Sequence, residues 1–376
     1  MKRRLSEEVG VPQGIIDAGK ILYYYVVKQI KSKGLDEPIS ENSDKTFTFK
    51  SNIHILDFNI VKVRMSIQFM THGGVDDIML IQAGFSSKSR QDYGKFLFIS
   101  DNQVGFSEFK IKFVVPENKE ITTEDIINYI ENNETKMTST LSHELKHAYD
   151  DFVKGFESMS DRADYASITS FHGFGLESIR NFFHLLYLGT NAEILVKPTE
   201  VASRMNSNEI NKLSFLEFLL NDETYREFKQ MSELTYGSFV HDEILQDKKN
   251  IVNLFTRSNI NIPNSDSELI NQLFHFLYVE YSTNKIEILN DILTENIRES
   301  FFGFTIPEKV EYFERKVKEF SKYEKNPSEF FKNRIKYLNF VGEKMMKKLG
   351  KLYSIAKDDT KKSDIINKIY NKVNNG

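Results

Sequence analysis

The sequence predicts an α+β protein, with an N-terminal antiparallel sheet, a pair of helices carrying the chemistry-bearing residues, and a large all-helical C-terminal half. Residues 46–116 are rich in Ile, Val and Phe that partly alternate with polar residues, the period of a half-buried strand. From Thr122 onward the apolar residues recur at helical spacing almost to the end of the chain. Strands followed by helices indicate α+β. The 376 residues also exceed the ~250–300 at which one core stops growing. The expected division is therefore 1–206 and 207–376, the second part being a helical domain of unassigned role.

The first element is an amphipathic helix around Ile21-Leu-Tyr-Tyr-Tyr-Val-Val27, an apolar run far too short to span a bilayer. Met1-Lys-Arg-Arg4 invites a signal-peptide reading. Glu7, Glu8, Asp17 and Lys20 interrupt it, and no small-residue cleavage site follows, so a cytoplasmic chain without membrane partners is expected. Strands are expected within Phe47–Met70, Ile78–Gly84 and Phe96–Val115, broken at His72-Gly-Gly74 and Asp101-Asn-Gln103 and ended by Pro116. Thr122-Thr-Glu-Asp is a capping signal. Helices are expected over 123–132, 136–154, 176–188, 191–206 and 209–220, with several between 222 and 299, then 307–322, 327–350 and 361–373. Between the second and third, Glu157–Gly175 contains Ser, Asp and Gly and reads as a long loop of the kind that often serves function.

Composition narrows the chemistry. Hydrophobic residues at 40% and charged residues at 28% argue against both wholesale disorder and a membrane protein. Cysteine is absent, which removes disulfides, thiolate ligands and a cysteine nucleophile, so any metal site must use His and carboxylates. The abundance of Asn, Lys, Ile, Phe and Tyr suits an AT-rich coding genome such as that of a low-GC bacterium or its phage. From Thr305 onward there are 18 Lys and Arg against 10 Asp and Glu. Within that stretch, Lys344–Lys351 alternates with Met345, Met346 and Leu349 as the solvated face of an amphipathic helix does, so no specific nucleic-acid partner is expected.

One segment reads as chemistry, Thr138-Ser-Thr-Leu-Ser-His-Glu-Leu-Lys-His-Ala-Tyr-Asp150. His143 and His147, four residues apart, share one helix face and can reach a single Zn²⁺, while Glu144 between them can serve as general base toward a water. A catalytic zinc usually takes three protein ligands, so a partner is expected downstream, from His172, His184, Glu177, Glu193 or Glu200. A third His six residues after His147 is excluded, because position 153 is Val153. Asp150, seven after His143 and three after His147, could accept the other ring N–H of one imidazole, and Asp151 has equal standing. Tyr149, Tyr187, His172 and Arg204 are candidates to meet an oxyanion. The remaining histidines, His54, His72, His184, His241 and His275, have no motif partner and read as structural. The stripe Phe274, Phe276, Tyr278 and Tyr281 reads as core.

Leu141-Ser-His-Glu-Leu-Lys-His-Ala-Tyr-Asp150 resembles the active-site helix of zincin metallopeptidases of the glutamate-ligand, gluzincin-like type. Pro198-Thr-Glu-Val-Ala-Ser-Arg-Met-Asn206 is similar to their second helix, in which a Glu is followed by small residues. The resemblance spans roughly residues 120–206 and implies a zincin-like helix pair behind the sheet. It implies His143, His147 and Glu200 as zinc ligands, Glu144 as the catalytic base, Asp150 as their support, and a protein or peptide substrate. Ala202 and Ser203 would let the second helix approach closely. Glu193 is the rival third ligand, and Pro198 between the two would open a new helix with Glu200 near its start. Lys146 departs from the family pattern and is expected to face solvent. The expected function is a zinc-dependent metallopeptidase. Two others compete with it: a phage virion-associated or structural protein whose zincin domain has minor or lost activity, with virion partners, and a helical interaction protein in which the motif is coincidence.

Overall fold

The computed structural model describes residues 13–33, 45–55, 58–72, 75–85, 103–117, 119–154, 159–298, 311, 314, 315, 318 and 321–356. By contact the chain forms two compact units, neither continuous in sequence. The first comprises 1–153, 196–220 and 350–376, and the second 154–195 and 221–349.

The first unit opens with α1 (Gln13–Lys33), whose Ile15, Leu22, Val26 and Ile30 recur at helical spacing and are fully buried. Four strands follow, β1 (Lys45–Ile55), β2 (Phe58–His72), β3 (Met79–Phe85) and β4 (Gln103–Pro116), in the order β1-β2-β4-β3. β1 and β2 form a tight antiparallel hairpin closing at Ile55 opposite Phe58, and β3 runs antiparallel to β4. The central pair β2 and β4 is parallel, so the sheet is mixed and the antiparallel expectation is corrected. Alternating residues fix which face of a strand is buried, but they are the same whichever neighbour it takes and whichever way that neighbour runs. Ile67 and Phe69 of β2 and Ile111, Phe113 and Val115 of β4 are buried, and the register partners Phe69 and Phe113 stack at 5.2 Å.

Behind the sheet come α2 (Thr123–Asn132) and α3 (Glu134–Lys154). The capping signal is realised as a reciprocal pair: Thr122 Oγ1 accepts from the Asp125 N–H, and the Asp125 carboxylate accepts from the Thr122 N–H. The Thr122 hydroxyl also donates to that carboxylate at 2.7 Å, and this bond first, then the one from the Thr122 N–H, holds the Asp125 carboxyl below its usual range. Ile126 and Ile130 of α2, and Met137, Leu141 and Leu145 of α3, complete one core with α1 and the sheet. Gly19 of α1 is where two helices nearly touch, since a Cβ there would lie 2.1 Å from Ser142 Oγ and 3.0 Å from its Cα.

The second unit is helical, with α4 (Met159–Thr169), α5 (Glu177–Leu188), the start of α6 (Asn191–Ser207), α8 (Glu223–Glu233), α9 (Lys248–Arg257), α10 (Asp266–Arg298) and most of α11 (Pro327–Gly350). The short α7 (Phe215–Asn221) lies almost wholly in the first unit. The core of the second unit is aromatic: Phe182 stacks on Phe239 at 4.5 Å, Phe274 on Phe331 at 4.3 Å, and Phe171 on Phe183 at 3.8 Å. Of the expected core stripe, Phe274, Tyr278 and Tyr281 are buried and Phe276 is half-buried.

Three local expectations are corrected. Much of the expected loop 157–175 is α4 followed by a 3₁₀ turn, Ser170–Gly173. The helix penalty of Ser and Asp is a few tenths of a kcal/mol each, and burial of Ser167, Ile168 and Phe171 outweighs it. Pro198 does not begin a helix but lies inside α6. The carbonyl it cannot serve, Ile194 O, accepts from Lys348 Nζ at 3.5 Å. The helix expected from 209 begins at Phe215, because Glu209 turns to φ 52° and ends α6, with Ile210 N–H donating back to Met205 O. The expected helix 361–373 and most of 307–322 lie outside the described residues.

Candidate metal centre

The site is built from α3 and α6. α3 turns Met137, Leu141 and Leu145 into the core, which leaves His143 and His147 together on an adjacent face. Their rings meet edge to face at 4.7 Å between centroids, and the two Nε2 atoms lie 3.1 Å apart. Small side chains allow α6 to come close: Ser142 Oγ lies 3.3 Å from Ser203 Oγ, Ser142 also bonds to Thr138 O, and Ala202 is buried beside them.

Glu200 then reaches His143, but at the other nitrogen. His143 Nδ1 donates to Glu200 Oε2 at 3.1 Å. The same carboxylate accepts from Lys197 Nζ at 2.9 Å and from Arg204 Nη1 at 2.6 Å, one helical turn to either side. Burial works to raise the Glu200 pKa. Lys197, the His143 hydrogen bond and charge, and Arg204 outweigh it and hold the carboxyl well below its ordinary range. With an ionised Glu200 accepting from Nδ1, the neutral His143 ring carries its lone pair on Nε2, the nitrogen that meets His147 Nε2.

Two imidazole nitrogens at 2.0–2.1 Å from one tetrahedral ion stand about 3.3–3.4 Å apart, so a 3.1 Å separation is close to what a shared cation requires. Glu193, the rival third ligand, is fully buried and stands two turns before Glu200 on the same helix. Two converging imidazoles suit zinc, which takes a carboxylate readily as a third ligand. Burial first, and then the charge of Glu193, push the neighbouring Tyr187 phenol far up, so its hydroxyl stays protonated.

The other expectations distribute as follows. Glu144 is half-buried on α3. Lys146 is buried, 4% exposed, and does not face solvent as its departure from the family pattern suggested. Helical spacing says which residues share a face, and burial of that face depends on what packs there. Asp150, Asp151 and Tyr149 continue α3, but their side chains lie outside the described ones. Arg204, expected as an oxyanion candidate, is engaged with Glu200. Glu177 is exposed at the start of α5. His172 packs edge-on against Tyr187 at 5.4 Å, and burial followed by His184 lowers its pKa. His184 pairs with Glu227 at 3.1 Å. The sequence reading missed Lys197, although its place three residues before Glu200 was a readable signal. Among the described residues no helix is long and apolar enough to cross a membrane. Compared with family models, curated proteins and solved structures, the chain matches none.

Proposed function

We propose that the chain is a zinc-dependent metallopeptidase with His143 and His147 holding the metal, Glu200 positioning His143, and Glu144 acting as general base. The observation that carries this reading is the use of the two nitrogens of His143. Glu200 occupies Nδ1 and leaves Nε2 converging on His147 Nε2. When bound, zinc lowers the pKa of a water and polarises a carbonyl. Glu144 takes the proton from the attacking water and delivers it to the leaving amine, the general acid–base part of the reaction. Glu200 fixes the His143 ring and tautomer, and Lys197 and Arg204 keep that carboxylate charged and in place.

The reading requires one zinc per chain by mass spectrometry and hydrolysis of a denatured-protein substrate. Glu144→Gln should lower that hydrolysis by about 10²–10⁴-fold while zinc content is unchanged. Full activity in Glu144→Gln, or purified protein that takes up no zinc, would sink it.

A further inference from the structure

The second unit contains a cavity that the metal centre does not use. It is about 60 Å³, partly open, and lined by α4, the end of α5, the start of α6 and α11. At about 10–15 Å³ per water it has room for roughly four to six waters, or one group of a few heavy atoms. Asp164 and Arg334 are its two charged lining residues.

These two are not hydrogen-bonded to each other. Asp164 accepts from Tyr281 Oη at 2.6 Å and pairs directly with the buried Lys285. Arg334 stands 3.8 Å from Asp164 without a hydrogen bond to it, and gives one bond, from Nη2 to Tyr281 Oη at 3.0 Å. Its plane is braced by Tyr281 and Phe330, 5.7 and 5.1 Å from their ring centroids. The Nη1 and Nε hydrogens of Arg334 meet no acceptor among the described residues. With Lys285 matched to Asp164, the wall carries one surplus positive charge on a fixed, forked donor. Thr190, Asn191 and Ala192, also in the lining, lie at the start of the 17-residue helix α6, with Thr190 O accepting the first helical bond from Ile194. The start of α6 adds partial positive charge to the same space and the end of α5 partial negative charge, so Arg334 is what makes it favour an anion.

We propose that this cavity binds a small oxyanion, held by the Arg334 fork. Thermal unfolding of the full chain in EDTA, followed by circular dichroism, tests it with inorganic phosphate and acetate as probes against chloride at equal ionic strength. The expected result is a saturable rise in midpoint with phosphate or acetate beyond that with chloride. Which of the two produces it names the oxyanion. Arg334→Gln should weaken the response about tenfold or more. Should that variant fail to fold, Thr190→Asp carries the test. It places a carboxylate at the helix start, where Asp is favourable, and should abolish the response by supplying the anion internally. Midpoints that follow ionic strength alone, or variants that respond as the wild type does, overturn the proposal.

Discussion

Each unit of the molecule holds a carboxylate clamped between two cations, and the two clamps are put to opposite uses. Glu200 is gripped by Lys197 and Arg204 on its own helix, and its third partner is an imidazole whose far nitrogen faces another imidazole. Asp164 is paired directly with Lys285, with Arg334 3.8 Å away, the two cations coming from two other helices, and it also accepts from the phenol of Tyr281, fully within the aromatic core. Three partners on one helix turn and one neighbouring helix orient a ring. Partners drawn from α10 and α11, remote in sequence, tie a fold together. The pattern of charges is similar, and the origin of the partners decides whether removing the acid costs ligand affinity or stability.

The largest expected effect that separates them is on folding. Asp164→Asn removes the carboxylate paired with the buried Lys285 and should destabilise by about 3 kcal/mol, the low end for a broken buried pair because Asp164 is about a quarter exposed. Urea denaturation measures this, and a loss under 1 kcal/mol would contradict the assignment. Glu200→Gln should instead weaken zinc binding by about 10–100-fold in competition with a chelator, with a smaller change in urea midpoint. If Glu200→Gln instead abolishes stoichiometric zinc, Glu200 is itself a ligand and not a positioning residue.

A weaker effect follows from pH. Burial raises the Asp164 carboxyl, but Lys285 and Arg334 outweigh it and leave it below its ordinary value. Its folded pKa thus lies under the unfolded one, near ~3.9. Its stabilisation is complete above that value and is lost as pH falls through the folded pKa. The urea midpoint of the wild type should therefore fall on acidification below about pH 4 more steeply than that of Asp164→Asn. Parallel curves would remove Asp164 from the account. Smallest is Thr138→Val. The Thr138 hydroxyl is buried with no hydrogen-bond partner among the described residues, so its replacement by a methyl should be neutral or stabilise by up to about 1 kcal/mol. A clear loss of stability would show that the hydroxyl is satisfied.

What the sequence made legible follows from how local each feature is. The Thr122 and Asp125 cap, the extent of α5 and α11, and the shared face of His143 and His147 depend on residues within a turn or two, and the structure has them where spacing put them. Strand direction, the continuity of α6 and the burial of Lys146 depend on distant residues. The bond that Pro198 removes from Ile194 is made by Lys348, 154 residues away, and no window around Pro198 contains that information. The Lys197, Glu200 and Arg204 clamp was legible in its spacing. Which nitrogen of His143 that clamp engages was not, because helical spacing brings two side chains together without choosing the atoms that meet.

Gly19 has no titratable group and stands on the first described helix, yet Ser142, against which it lies, immediately precedes His143 and also touches Ser203 of the helix that carries Glu200. A single added methyl at Gly19 has backbone as well as hydroxyl to displace. The displacement would be transmitted to the ring pair through an element with no chemistry of its own. Sensitivity to substitution in this unit is therefore set by steric clearance as much as by charge, and a survey confined to ionisable residues would pass over a position on which the geometry of the histidine pair depends.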